Sequence, residues 1–305
     1  MNLAVSKPTL IGIDWGTSSL RAFLIGARGE VLDSISKPQG IMHIENGDFE
    51  TVFGELVQNW IANGPIPVIA SGMITSRNGW VETPYVNVPS GAAELADSLV
   101  PFNTESGMTI QFVTGMTTEQ NGAPDVMRGE ETQIIGASAL GICDGTFVLP
   151  GTHSKWITVK KDRIENYATF MTGEVFSALR THTILRTLME EGPFHEGGFR
   201  MGVQAGLSKG ARLLHDLFNV RTLPLFNKIS GEMVEDYLSG MLIGAEISGV
   251  DHKSIVGPVT IIGNDNLADK YEIALDVTEL NCKRAPDDIV ARGHFLIAKT
   301  AGLIS

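Results

Sequence analysis

Two short stretches carry side-chain chemistry that a structural core does not need. In "LIGIDWGTSSLRAFLIG", residues 10–26, an apolar run ends on Asp14 and passes at once into Gly16, Thr17 and Ser18. In "FVLPGTHSKWITVK", residues 147–160, another apolar run ends on Pro150 and passes into Gly151, Thr152, His153 and Ser154. The backbone N–H groups and hydroxyls of such small residues can hold an anion. Each stretch alone is also an ordinary hairpin turn, because turns favour Asp, Gly and Ser. Repetition separates the two readings. Gly16–Glu30 lies over Gly151–Glu165 without a gap, placing Gly-Thr on Gly-Thr, Ser19 on Ser154, Arg28 on Arg163 and Glu30 on Glu165. That points to an internal duplication, whose two Gly-Thr turns would clamp a polyphosphate across a cleft.

The elements around both turns follow one order. In the first half, strands are expected at 9–13, 20–25 and 30–34, a helix at 50–63, a strand at 66–71, a helix near 91–99 and a strand at 109–113. The segment 72–91, "GMITSRNGWVETPYVNVPSG", is too polar and broken to be core. In the second half, a helix begins at about Glu130. Strands follow at 146–150, 155–160 and 163–170, and helices near 174–189, 198–219 and 231–248. A strand at 258–263, a helix at 265–275, a strand at 278–283 and a last helix from Asp287 close the chain. The pattern implies two domains. One spans 1–124 and is joined by the C-terminal helix 287–305. The other spans 125–286 and carries a helical insertion at about 174–248, with hinges near 122–128 and 284–287.

The chain has 305 residues, 34 of them glycine, and a formal charge of −12. Its glycine share exceeds the usual value of about 7%, as expected where backbone approaches a ligand. The negative charge, with no basic stripe, argues against nucleic-acid binding. No apolar run reaches the length of a transmembrane helix, and the apolar start of the chain is cut short by Asp14, unlike a signal peptide. Cys143 and Cys282 stand alone and the seven histidines are scattered, so no disulfide framework or metal-ligand spacing is present. A soluble, cytoplasmic protein is expected. No G-x-x-x-x-G-K-[ST], H-E-x-x-H or G-x-S-x-G motif occurs.

The two loops resemble those of the superfamily of sugar kinases, actin and heat-shock ATPases. Asp14-Trp15-Gly16-Thr17-Ser18 matches its first phosphate loop, and Pro150-Gly151-Thr152-His153-Ser154 its second, although Pro150 stands where many members carry an acid. The strings "SGMITSRNGWVETPY", "RGEETQIIGA", "LPGTHSKWI" and "FMTGEVFSAL" further resemble the 2-dehydro-3-deoxygalactonokinase family over essentially the whole chain. The resemblance implies an α/β protein with two duplicated ribonuclease H-like (actin-like ATPase) domains around a nucleotide cleft. It also implies transfer of the ATP γ-phosphoryl group to the 6-hydroxyl of a six-carbon 2-keto-3-deoxy sugar acid.

Roles follow from that resemblance residue by residue. Asp14 would organise Mg²⁺, while Gly16, Thr17, Ser18, Gly151 and Thr152 would hold the phosphates. His153 and Lys155 could add charge, although Lys155 also reads as a solvated strand residue. Related sugar kinases place an acid after a glycine at a helix start, which Gly129-Glu130 matches with Glu for Asp. This makes Glu130 the candidate base, with Glu131 and Asp125 as rivals and plain helix capping as the alternative. Arg77 is the candidate partner of the substrate carboxylate, since a guanidinium grips a carboxylate bidentately. Ser71, Gly72 and Met73 would line that pocket, and Trp80 and Tyr85 would pack its loop. Gly263 and Asn264 match the turn that lies against adenine, with Asp265 or Asn266 as a helix N-cap in the alternative reading. A kinase for another sugar or sugar acid, including the gluco epimer, and a non-kinase actin-like ATPase remain competing readings. The expected partners are ATP, Mg²⁺ and a small sugar acid.

Overall fold

The computed structural model describes residues 7–207, 212–286 and 288–305. The chain divides into two compact units. One comprises Met1–Asp144, Val159–Asn166 and Pro286–Ser305, and the other Gly145–Thr158 and Tyr167–Ala285.

The first unit opens with β1 (Pro8–Trp15), β2 (Leu20–Gly26) and β3 (Val31–Lys37), antiparallel in succession. Helix α1 (Phe49–Ile61) follows, then β4 (Val68–Ser71), which pairs parallel with β1 and is buried at all four residues. Next come β5 (Tyr85–Asn87), α2 (Ala92–Asp97), β6 (Val100–Asn103), β7 (Thr109–Phe112), β8 (Gly115–Gln120), β9 (Ala123–Met127) and α3 (Glu130–Ala139). The large sheet has the order β3-β2-β1-β4-β7-β6, and β5-β8-β9 form a separate small sheet. One face of the large sheet, through Ile11, Ile13 and Trp15, packs on Phe49, Phe53, Leu56 and Val57 of α1. Asp48 starts α1 by accepting the Thr51 N–H, as an N-cap does.

The second unit is built around β10 (Gly145–Leu149), followed by β11 (Ser154–Lys160) and β12 (Arg163–Phe170). Helices α4 (Thr172–His182), α5 (Glu196–Gly206), α6 (Leu213–Asp216), α7 (Asn219–Leu225) and α8 (Gly231–Gly249) come next. Then β13 (Val259–Ile261), α9 (Asp265–Val277) and β14 (Cys282–Arg284) complete the sheet β12-β11-β10-β13-β14. The last helix, α10 (Ile289–Thr300), belongs to the first unit.

The sheet orders carry the duplication. β3-β2-β1-β4-β7 and β12-β11-β10-β13-β14 run in the same order, with the strand that comes first in sequence central in each. β13 and β14 join parallel, as β4 and β7 do.

Several boundaries differ from the sequence expectation. The strand expected at 278–283 begins only at Cys282, because residues 278–280 complete the end of α9, with the Thr278 N–H on Ala274 O and Glu279 at φ +59°. The stretch 174–189 is α4 plus a separate 3₁₀ turn, Ile184–Leu188, because Thr183 turns extended and caps it. The stretch 198–219 divides among α5, α6 and the start of α7, and residues 208–211 lie outside the described residues. Within the expected hinge at 122–128, residues Ala123–Met127 form strand β9, which leaves the hinge itself untested. Asp287, the expected start of the last helix, is also outside the described residues.

Candidate functional site

The chemistry in the first unit converges where β1, β4 and α3 end or begin. In β1, Ile11, Ile13 and Trp15 face α1, so the alternation of a strand turns Gly12 and Asp14 to the opposite side. There α10 lies against β1. A Cβ on Gly12 would sit 2.6 Å from His294 Nδ1, so only glycine admits this ring. His294 Nε2 is 2.8 Å from the hydroxyl of Ser71, the β4 residue paired with Asp14. Burial, and then the charge of Arg21, depress the His294 pKa to about 3, so this ring is neutral at pH 7.

The hairpin places Arg21 directly opposite Asp14. Its Nε and Nη2 donate to Asp14 Oδ2 at 3.1 and 2.5 Å, which leaves Oδ1 for other work. Two glycines with left-handed backbone close around that oxygen, Gly72 at φ +97° and Gly129 at φ +104°. A Cβ on Gly72 would lie 3.2 Å from Asp14 Oδ1, and one on Gly129 would lie 3.1 Å from the Gly72 Cα and 3.9 Å from Oδ1. Both residues must therefore adopt a conformation, and fit a space, suited to glycine. Helix α3 begins immediately after Gly129, held close to α10: a Cβ on Gly136 would overlap Ile289 O at 1.8 Å, and one on Gly293 would overlap Thr132 O at 1.9 Å.

The two adjacent acids at the head of α3 are in different environments. Glu131 is buried, and both its oxygens accept the Gly129 N–H, at 2.9 and 2.8 Å. Burial, and then the neighbouring Glu130 charge, push its carboxyl up to about 8. Glu130 is only half-buried, and its Oε2 accepts the Arg128 N–H at 3.0 Å. Asp125, the third candidate, lies on β9 with its carboxylate on the Val126 N–H.

The turn between β1 and β2 leaves Thr17 and Ser18 exposed. It is closed by the Gly16 N–H on Ser19 O and backed by the Ile41 and Met42 N–H groups on Gly16 O and Thr17 O. After β4, the loop that reads as broken in sequence folds on itself. Met73–Thr75 form a 3₁₀ turn, the Trp80 N–H returns to Ile74 O, and the Thr83 N–H returns to Thr75 O. Trp80 packs among Phe49, Phe53, Phe102 and Phe112. Arg77 is exposed, and Ser71 directs its hydroxyl into the protein.

In the second unit, the Gly151–Ser154 turn is backed by the start of α4. The Glu174 N–H donates to Thr152 O at 2.9 Å, and the His153 Nε2 is 2.5 Å from the Glu174 carboxylate. Lys155 is buried and its ammonium donates to His153 O at 3.3 Å. Beneath the turn, Ser154 bonds to the Tyr271 hydroxyl at 2.9 Å. Glu246 of α8 accepts from Tyr271 and from Trp156 Nε1, each at 2.8 Å, and from Thr172 at the head of α4. Burial raises the Glu246 pKa. Gly263 is exposed beside Pro150, and Asn264 caps α9 by accepting the Leu267 N–H, the role that Asp265 and Asn266 were candidates for.

Sequence reasoning passed over Arg21, Arg128, His294 and Glu246. Arg21 was open to it, because a tight hairpin sets residues 14 and 21 opposite each other.

The family described as 2-keto-3-deoxy-galactonokinase matches residues 14–297. The chain belongs to that family. The 2-dehydro-3-deoxygalactonokinase of Escherichia coli is 32% identical over 265 residues, covering 87% of this chain and 88% of its own. A crystal structure of a candidate 2-dehydro-3-deoxygalactonokinase from Sinorhizobium meliloti superposes with a TM-score of 0.87 at 33% identity, over 96% of this chain and 98% of its own. The nucleotide-bound activator of 2-hydroxyisocaproyl-CoA dehydratase from Clostridium difficile shares the fold, with a TM-score of 0.54 at 10% identity over 97% of each chain. This kinase therefore acts on a carbohydrate and has the α/β, duplicated ribonuclease H-like architecture of the actin-like ATPases. No helix among the described residues is long and apolar enough to cross a membrane.

Proposed function

We propose that this kinase transfers the γ-phosphoryl group of ATP to the 6-hydroxyl of 2-dehydro-3-deoxy-D-galactonate, giving the 6-phosphate and ADP. The observation that carries the reading is the meeting of Asp14, Gly72 and the Gly129-Glu130 helix start in a chain that matches the galactonokinase family. Phosphoryl transfer asks the protein for positioning, charge neutralisation and a guide for the hydroxyl proton.

Glu130 accepts the proton of the 6-hydroxyl. It is accessible where Glu131 is buried, and a Glu131 carboxyl held protonated near pH 7 does not compete for that proton. Separating the proton affinities of two neighbouring acids is a common way of assigning acid and base roles. Gly16, Thr17, Ser18, Gly151 and Thr152 bind phosphate oxygens through N–H and hydroxyl groups, with His153 and Lys155 adding charge. Gly263 and Asn264 lie against adenine. Arg77 meets the substrate carboxylate, while the backbone of Ser71, Gly72 and Met73 lines the sugar pocket.

Asp14 fits a role toward Mg²⁺ because Oδ2 is held by Arg21 while Oδ1 faces the glycine cradle. Among the described residues no group of three His, Cys, Asp or Glu side chains could enclose a metal. Mg²⁺ needs no such cage, since it takes one or two carboxylates with waters and phosphate oxygens. When bound, it would neutralise charge on the transferring phosphate.

An ADP-release assay with Mg-ATP tests the reading by comparing the galacto acid, its gluco epimer and neutral hexoses. A kcat/KM far higher for the galacto acid is expected. Equal or better use of the epimer would overturn the galacto assignment, and equal or better use of a neutral hexose would overturn the role of Arg77 as well.

A further inference from the structure

Arg128 directly precedes the Gly129-Glu130 helix start, yet its guanidinium points into the protein and is only 9% exposed. Every acceptor it meets there is neutral. Nε donates to the Tyr85 hydroxyl at 3.1 Å, Nη1 to Thr75 Oγ1 at 2.9 Å and Thr83 Oγ1 at 2.6 Å, and Nη2 to Thr83 O at 2.5 Å. The guanidinium also lies 4.0 Å from the Tyr85 ring centre. No ion pair is formed by Arg128 among the described residues. Glu130 and Glu131, next in sequence, turn toward the backbone N–H groups of residues 128 and 129 instead.

A buried cation is costly unless something negative answers it. Here the four bonds use four of the five guanidinium N–H groups, leaving one on Nη2. A second observation lies in the same loop: the Ser76 hydroxyl is buried and has no hydrogen-bond partner. A polar side chain of this kind, buried unpaired, calls for an explanation. A guanidinium with no anionic partner bonded to this loop, and an unpaired hydroxyl within the loop, describe a place that an incoming anion would complete.

We infer that Arg128, assisted by Ser76, determines specificity by receiving the carboxylate end of the substrate at the loop 75–85, so that anionic sugars are chosen over neutral ones. This rests on the reading above that the substrate is a sugar acid. Arg77, exposed on the same loop, makes the first contact, while the charge of Arg128 acts from drier surroundings, where it is screened less.

The test compares kcat/KM for the sugar acid and for its neutral analogue, the 3-deoxy-2-ketose with a C1 hydroxymethyl group in place of the carboxylate. Arg128→Gln is expected to lower kcat/KM for the acid by about 10- to 100-fold, the size of a lost charged hydrogen bond, and to leave the analogue nearly unchanged. Arg128→Lys should keep the preference for the acid, and Ser76→Ala should weaken it by a smaller factor. A purely structural role would lower both substrates together, and that parallel loss would overturn the inference. So would an Arg128→Gln enzyme that keeps its preference. Should Arg128→Gln fail to fold, Ser76→Ala decides: a loss confined to the acid supports the inference, and an unchanged or parallel response overturns it. A wild-type enzyme that does not prefer the acid would instead overturn the proposed substrate, and this inference with it.

Discussion

The two Gly-Thr turns occupy the same place in two sheets of the same strand order, yet their surroundings have diverged. Beside the first, Asp14 stands one residue before the end of β1, half held by Arg21 and half open to a cradle of two left-handed glycines. Beside the second, β10 is followed by Pro150, and the acid lies underneath, where Glu246 is buried among Ser154, Tyr271, Trp156 and Thr172. Duplication therefore kept the backbone turn in both copies and divided the carboxylate chemistry. The half-buried Asp14 and Glu130 of the first unit are the acids proposed to act in the reaction, whereas the buried Glu246 beneath the second turn is placed to hold a loop still.

Four experiments would break or sharpen that contrast. The largest effect is expected at the head of α3, where Glu130→Gln should lower kcat by about 10²- to 10⁴-fold, the usual scale for losing a general base, with little change in KM for ATP. Glu131→Gln should act on stability through pH. The Glu131 carboxyl stands near 8 in the folded protein against 4.5 for the unperturbed group. Its contribution to stability is thus present below pH 4.5 and lost as pH rises through 8. The variant should lack that decline, a difference on the order of 4 kcal/mol between pH 4.5 and 8.5 in denaturant titrations. Asp14→Asn should lower kcat by roughly 10²-fold and raise the Mg²⁺ concentration needed for half-maximal rate. Glu246→Ala, at the second turn, should take the acceptor from Trp156 Nε1 and Thr172, while the Tyr271 hydroxyl keeps Ser154 as a partner. It should cost about 2 to 3 kcal/mol of stability by thermal or chemical unfolding and raise KM for ATP more than it lowers kcat. If instead Glu246→Ala collapses kcat as Glu130→Gln does, the division between reacting and holding acids fails.

Much of this was readable in the sequence because it is local. Apolar runs marked β1, β4 and β10, and Gly129-Glu130 marked the start of α3, where the helix does begin. The small sheet β5-β8-β9 was not read, because its strands are short and partly exposed on both sides. One signal was nevertheless present. Asn121-Gly122 joins β8 to β9 with φ of +53° and +77°, the dipeptide that favours a tight hairpin. The surroundings of the site were less legible because their partners are far apart in sequence. Arg128 is bonded to Thr75, Thr83 and Tyr85, and His294 to Ser71, 223 residues away. No local pattern announces such pairs. A hairpin, by contrast, sets its own register, and so Arg21 could have been matched to Asp14 from spacing alone.

The packing of His294 over Gly12 also has a consequence for how the protein is made. Gly12 and Asp14 lie on β1, but the ring packed over Gly12 belongs to α10 and is synthesised 282 residues after Gly12. At about 5–20 residues per second, that is an interval of roughly 15 to 55 seconds. Throughout it, β1 has its hairpin partner but not its complete core, and Gly12 faces an unfilled slot. The order of synthesis thus leaves the Asp14 end of β1 unfinished until α10 has been made.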